Sequence, residues 1–499
     1  MTHSGRHRTR RRHRKNAGSD PAKSWSDPAC RAPGVANKSW GTSGVANESF
    51  ATAGAGWSSR ATPGHRNHTA LGESSDFLCT HPVGAPGRLR VPGVDVSGGH
   101  VAFFGFPGFG HLRPTLPVVR ELLSRGHEVS YVVAERFAGV VAETGARVVT
   151  YPSAFPESMP DVHTADDLAE VLAHYLDEAY APLAAAWPEF ADRPVDLVVQ
   201  DVLSTDVGTL VARRAGCGVV RLFAGFGGND EVPLNGSETE LEGPPLDPAH
   251  PALAACGERI TALLGKFGLD TPPEFAPGGG EVVANLVFVP RAFQPRPECF
   301  GDDFVFVGPT GDDGAAADGW AAPAEDVPVV LVSLGTSSNS NPGFFTACGQ
   351  AFAGTGWRVV MTTAGHVGDD LAAAMPDNVE LHSWLDHRAV LPHTDVVVCQ
   401  AGTGSLMDAF GHGVPVVAVP QRPEARVTAQ QVERLGLGRA LLDDVTGDDV
   451  RDAVLAVAAD AAVAAEVAGM RAAIQASGGA KKAADVLERA VRAGDGEKA

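Results

Sequence analysis

From residue 100 onward the chain alternates short apolar runs with stretches of helical periodicity. Residues 100–106 form an apolar run of strand length that ends in Pro107-Gly108-Phe109-Gly110. Leu116, Val119, Leu122 and Leu123 then recur at three- and four-residue steps, the spacing of one helix face, and Arg125-Gly126 supplies a helix stop. Further apolar runs at 129–134, 147–151, 197–201 and 219–224 are separated by enough chain for a crossover helix, the layout of a parallel sheet covered by helices. Between about 225 and 300 the chain is Gly/Pro-rich and reads as irregular, with two more runs at 286–290 and 304–308. Residues 311–326, rich in Gly, Ala and Asp, read as a linker. The alternation restarts at 327–335, 358–363, 379–384, 396–400 and 414–420, mostly as the continuous apolar runs of strands buried on both faces. An Ala-rich end, about 459–493, reads as helix broken at Gly478-Gly479. The pattern therefore predicts an α/β protein of two Rossmann-like domains in tandem, 96–310 and 327–475, followed by a helical end at 476–499.

Composition agrees with a large globular protein and locates its charge. Of 499 residues, 44% are hydrophobic and 20% charged, and no apolar run approaches the ~18–20 residues that cross a bilayer. The net charge of −20 is uneven: residues 1–95 hold 14 of the 40 Lys and Arg and 6 of the 60 Asp and Glu, a net of +8, which leaves −28 on the remainder. Residues 1–95 are rich in Gly, Ser, Ala, Pro, Arg and His, lack a sustained apolar period, and read as a disordered basic tail. The basic run at 10–15 is not followed by the apolar segment of an export signal. Seven scattered cysteines without a C-x-x-C pair suit a reduced, cytoplasmic protein. A strongly acidic folded part is a poor partner for nucleic acid, and nothing points to a membrane.

In a parallel sheet, ligands collect beyond the carboxyl ends of the strands, so the turns there carry the chemistry. After the first strand, His111 stands at the sheet's mouth near a helix N-terminus, placed either to act as a general base or to be an ordinary surface or satisfied core histidine. Asp201 ends another apolar run at the same edge; it either fixes the tautomer of such a base or caps the helix that follows. In the second half, the run at 396–400 leads into Ala401-Gly402-Thr403-Gly404-Ser405 and then a helix. A turn of small residues at a helix N-terminus exposes backbone N–H groups to the positive end of the helix dipole and suits a phosphate or diphosphate. Glycine in such a turn also serves packing alone. Ser405 adds a hydroxyl, and Asp408, on the same helical face, is placed to reach ribose hydroxyls. Trp384 ends the run one unit earlier, placed either to stack on a base or to fill the core. No D-x-D triplet is present to hold a divalent metal.

Together these segments resemble the inverting GT-B-type glycosyltransferases that use nucleotide sugars, most closely the actinobacterial macrolide glycosyltransferase branch. The similarity runs from about His100 to Arg492, and it implies a cleft between the two domains and a closing helix at 476–499 that crosses back to the first. It is carried by Gly110-His111-Leu-Arg-Pro114 with Arg125-Gly126-His127-Glu-Val129, the Asp201 segment, Val332-Ser-Leu-Gly-Thr336, residues 384–431, and Gly478-Gly479-Ala-Lys-Lys-Ala-Ala484-Asp485. The resemblance implies that His111 deprotonates an acceptor hydroxyl held by the N-terminal domain and that Asp201 orients it. It further implies that Trp384 stacks on the nucleobase, that Thr336 and Ser405 contact the diphosphate beside the Gly402 and Gly404 turn, that Asp408 holds the ribose, and that Glu424 binds sugar hydroxyls. The implied reaction is displacement at the anomeric carbon with inversion, without metal or cofactor, the nucleotide sugar being a substrate.

The chain departs from that family at Gln400, where a histidine is expected on the diphosphate, at Ala425, where a glutamine is expected, and at Asp386-His387, where Pro-Gln is expected. The Gln400 amide still donates a hydrogen bond, and His387 is placed to reach a ribose hydroxyl. The expected function is transfer of a hexose from a UDP- or dTDP-sugar to a hydroxyl of a small natural product, macrolide-like, polyketide-like or phenolic. The alternative is a weak or silent homologue acting as a binding or partner protein. Oligomeric state is not legible.

Overall fold

The strands lie in two parallel sheets. The computed structural model describes residues 98–156, 164–204, 206–233, 247, 249–269, 281–311, 320–323, 327–335, 341–363, 365 and 369–497. The expectations for residues 1–95 and for most of 311–326 lie outside the described residues.

The first sheet comprises β1 (His100–Phe104), β2 (Glu128–Ala134), β3 (Arg147–Tyr151), β4 (Leu197–Asp201), β5 (Gly218–Phe223), β6 (Val282–Val287) and β7 (Phe304–Phe306), ordered β3-β2-β1-β4-β5-β6-β7. The second comprises β8 (Val329–Ser333), β9 (Arg358–Thr362), β10 (Val379–His382), β11 (Val396–Cys399), β12 (Val416–Ala418) and β13 (Gly438–Ala440), ordered β10-β9-β8-β11-β12-β13. Both reverse direction between their first strand in sequence and a later neighbour, at β1/β4 and at β8/β11. That reversal opens a crevice beyond the carboxyl ends of those strands. The central strands β1, β4, β8 and β11 are buried along their whole length, which is why their sequences are continuous apolar runs rather than alternating ones.

Helices that position the crevice are α1 (Phe109–Leu112), α2 (Leu116–Ser124), α3 (Ala165–Tyr180), α4 (Pro251–Gly265), α5 (Thr403–His412), α6 (Pro423–Arg434), α7 (Ala461–Ala476) and α8 (Gly479–Glu497). Helix α2 ends where Arg125-Gly126 predicts. Gly126 takes φ +85°, its N–H donates to Leu123 O at 3.0 Å, and the His127 N–H donates to Leu122 O at 3.1 Å, a left-handed glycine cap that satisfies the last carbonyls. The break between α7 and α8 falls at Gly478 and Gly479, both with positive φ. Helix α8 then packs Ala483, Ala484, Leu487 and Val491 into the core beneath the first sheet, and Arg125 of the α2 cap joins Glu121, Asp485 and Glu488.

Two readings are corrected, and one strand goes unread in the sequence. The segment 225–300 is not irregular throughout: it contains the 15-residue α4, whose Leu253 and Cys256 pack on Ala169 and Ala173 of α3. Strand β6 starts at Val282, four residues before the run read from the sequence. The edge strand β13, only Gly438–Ala440, has no apolar run to announce it.

The two sheets share a core. One cluster joins Phe223, Val287, Phe293 and Phe306 of the first to Leu331, Val397, Leu406 and Phe410 of the second. Phe293 is fully buried with its ring 5.9 Å from that of Phe410, and its carbonyl accepts a 2.9 Å hydrogen bond from Gln431 Nε2.

Candidate active site

On the first-sheet side, the chain leaves β1 through Gly105, where a Cβ would lie 2.8 Å from the Tyr131 ring, so only glycine lets the strand end this close to β2. It then turns through Gly108 into α1, which carries His111. Strand β4 lies beside β1 and ends in Asp201. Asp201 is buried, at 3% exposure, and its carboxylate is fully engaged: Oδ1 accepts from the Leu203 N–H at 2.9 Å and Oδ2 lies 2.8 Å from His111 Nδ1. The His111 side chain keeps 30% of its surface open. A carboxylate only accepts, so Nδ1 carries the proton and Nε2 is the basic nitrogen of the neutral ring. Burial pulls the His111 pKa down, but the charge and hydrogen bond of Asp201 outweigh it and hold the imidazole above the ordinary histidine value.

Aromatic side chains wall this pair. The Phe106 ring lies 5.1 Å from that of His111 and packs on Phe155 and Tyr175, while Phe109, next to His111, is 36% exposed. Arg136 Nη2 donates to the Pro107 carbonyl at 2.9 Å and fixes the turn from behind. None of these neighbours carried a sequence signal beyond being aromatic or basic.

On the second-sheet side, β11 passes through Ala401, a buried alanine at φ +65°, into Gly402, which caps α5. A left-handed alanine costs on the order of 1–2 kcal/mol, so the sharp turn is imposed by its surroundings. Gly404 is exposed, while Ser405 and Asp408 are half-buried on the first turns of α5. Gln400 lays its amide over the end of β8, where a Cβ at Gly335 would sit 2.4 Å from Gln400 Nε2. Trp384, just past β10, is 66% exposed, as a stacking platform requires and a core residue would not be. Strands β10 and β11 are three positions apart, roughly 14 Å at ~4.8 Å per strand.

His387 Nε2 lies 3.0 Å from Thr362 Oγ1, and burial sets its pKa below the ordinary value, Asp408 and Asp386 pulling the other way and Arg113 adding to the fall. Asp386 caps the short helix that begins at His387 and is bound bidentately by Arg388, which holds its carboxyl below the usual range. Glu424 and Ala425 stand in the first turn of α6. Thr336 and the side chain of Glu424 lie outside the described residues.

The structure adds a contact that the sequence reading did not assign. Arg113, two residues after His111, reaches across to the second sheet's helix: Nη1 lies 2.7 Å from Asp408 Oδ2 and Nη2 donates to Asp408 Oδ1 at 3.0 Å. The His111–Asp201 pair and the α5 turn thus face one crevice. Among the described residues no three His, Cys, Asp or Glu side chains gather as metal ligands, and no single helix is long and apolar enough to cross a membrane.

Residues 354–489 match the family described as Erythromycin biosynthesis protein CIII-like, C-terminal domain. The chain is 34% identical to demethyllactenocin mycarosyltransferase of Streptomyces fradiae, over 82% of this chain and 90% of that one. It is 33% identical to oleandomycin glycosyltransferase of Streptomyces antibioticus, over 78% and 90%. Among solved structures, the calicheamicin glycosyltransferase CalG4 superimposes with a TM-score of 0.67 at 38% identity, covering 79% of this chain and 98% of that one. With two parallel α/β domains facing across a crevice and these relatives, the chain belongs to the GT-B glycosyltransferases of the macrolide and antibiotic type.

Proposed function

We propose that this glycosyltransferase moves a hexose from a UDP- or dTDP-sugar to a hydroxyl of a small, apolar natural product, with inversion and without metal, in the cytoplasm. The observation that carries the reading is the 2.8 Å His111–Asp201 pair across from the α5 turn. The neutral His111 takes the acceptor's hydroxyl proton on Nε2. The acceptor oxygen forms its bond to the anomeric carbon as the bond from that carbon to the diphosphate oxygen breaks, and the nucleoside diphosphate leaves with the electron pair. Asp201 stabilises the imidazolium that results. The α5 N-terminus and its exposed N–H groups receive the charge that develops on the leaving diphosphate. Trp384 takes the base, Ser405 and Thr336 the diphosphate, Asp408 the ribose and Glu424 the sugar. The aromatic wall behind His111 suits an apolar acceptor. Purified protein incubated with a panel of nucleotide sugars and aglycones, followed by product mass and nucleoside diphosphate release, tests this; release without any glycosylated product would overturn it.

A second reading, a silent binding homologue, is favoured by Gln400 and Ala425 together with the Arg113 fork that occupies Asp408. The retained His111–Asp201 geometry weighs against it, because a protein that only binds has no use for an oriented base.

A further inference from the structure

The Arg113–Asp408 pair joins two groups with different calls on them. Asp408 is the carboxylate proposed for the ribose, yet both of its oxygens are held by the Arg113 fork. A ribose arriving there meets an occupied acceptor. The guanidinium also lies against the diphosphate turn, since a Cβ at Gly404 would stand 3.8 Å from Arg113 Nη1. Gln400 is neutral where the family carries a histidine, burial keeps His387 toward its neutral form, and the Arg388 fork is bound to Asp386.

Arg113 is well placed to move. Its side chain is 43% exposed, so the pair is solvent-screened and breaks at modest cost. Its backbone is fixed, because Thr115 Oγ1 donates to Leu112 O at 2.7 Å and lies 2.8 Å from the buried Tyr131 hydroxyl. A planar guanidinium fits a phosphate as it fits a carboxylate, through two parallel N–H donors.

We infer that Arg113 is a donor-binding residue contributed by the acceptor domain. When the nucleotide sugar enters, its fork passes from Asp408 to the diphosphate, which releases the Asp408 carboxylate to the ribose and supplies the positive charge that Gln400 lacks. The inference rests on the donor reading above and deepens it. Because Arg113 and His111 share one turn, the exchange also brings the base and the leaving group into register.

Calorimetry with UDP, dTDP, uridine and thymidine on the parent, Arg113→Ala, Arg113→Lys and Asp408→Asn tests it, with thermal unfolding as a check that each variant is folded. Arg113→Ala is expected to weaken diphosphate binding about 10- to 100-fold, the worth of hydrogen bonds to a charged group, while nucleoside binding holds or tightens because Asp408 is freed. Arg113→Lys recovers part of the loss, and Asp408→Asn weakens nucleosides and diphosphates together. In turnover, Arg113→Ala raises the donor KM and lowers kcat. If Arg113→Ala tightens both ligand classes, the fork only blocks the site; if it weakens both alike or changes neither, Arg113 is structural. Either result overturns the inference. A parent protein that binds neither nucleotide at millimolar concentration sinks the donor reading itself, a different failure.

Discussion

At the scale of single residues, the proposed chemistry depends on how Asp201 sets His111. An imidazole whose pKa is raised by a neighbouring carboxylate is a stronger base but is protonated over more of the acid range. Activity is therefore expected to rise with pH as His111 deprotonates, with the midpoint above the ordinary histidine value. Asp201→Asn removes the charge that raises it, so the acid limb moves to lower pH while the maximal rate falls. A pH–rate profile of both proteins checks this, and an unmoved limb would mean that another group titrates. His111→Ala should lower kcat about 10²–10⁴-fold, the worth of a positioned base, with nucleotide affinity unchanged by calorimetry. On the donor side, Trp384→Ala should weaken nucleotide binding by roughly 1–3 kcal/mol, the scale of a lost base–aromatic stack; unchanged affinity would remove the indole from the site. The places of His111, Asp201 and Trp384 at the sheet edges were legible because each stands at or just past the end of an apolar run, and that of Asp408 because it follows a small-residue turn into a helix. Arg113 was not, because its partner lies 295 residues away and its own motif names it only as a neighbour of the histidine.

At the scale of elements, legibility followed burial. Strands buried on both faces announce themselves as apolar runs, and β1, β4, β8 and β11 were all found. Strand β13 is three residues at a sheet edge and carries almost no side-chain pattern. Helix α4 was missed although Leu253, Cys256, Ile260 and Leu264 fall on one helical face, because Gly257 and the Gly/Pro-rich flanks disguise a short stripe. The α8 strap shows which contacts matter for stability. Leu487 is fully buried against the first sheet's helix layer, whereas Arg125 reaches Asp485 and Glu488 near the surface. Leu487→Ala is expected to cost about 2–5 kcal/mol, and Arg125→Ala less, about 1 kcal/mol, since partly exposed ion pairs gain little over solvation by water. Urea unfolding ranks the two; an Arg125 loss as large as that of Leu487 would make the strap electrostatic rather than apolar.

At the scale of the molecule, two Rossmann-like domains would by default move against each other, because interfaces within a chain are usually small and polar. Here the default is opposed by an apolar cluster that both domains share. Phe293, from the segment after β6, is buried in the second domain's core, Gln431 holds its carbonyl, and Phe223, Val287 and Phe306 continue the same cluster into the first domain. At the mouth, by contrast, the contact is the Arg113–Asp408 pair, half open to water. If Arg113 exchanges as inferred, an apolar pivot opposite this polar latch lets the crevice widen for a donor without separating the domains. It also couples their stabilities, because each half loses the cluster they share if the other unfolds. Calorimetric unfolding is therefore expected to show one transition rather than two. Phe293→Ala, at a cost of about 3–5 kcal/mol for a buried phenylalanine, should lower that single transition or split it, while Arg113→Ala leaves its midpoint nearly unchanged. Two resolved transitions in the parent protein would show instead that the shared cluster is too weak to bind the domains into one folding unit, and the pivot would have to be sought in the α8 strap.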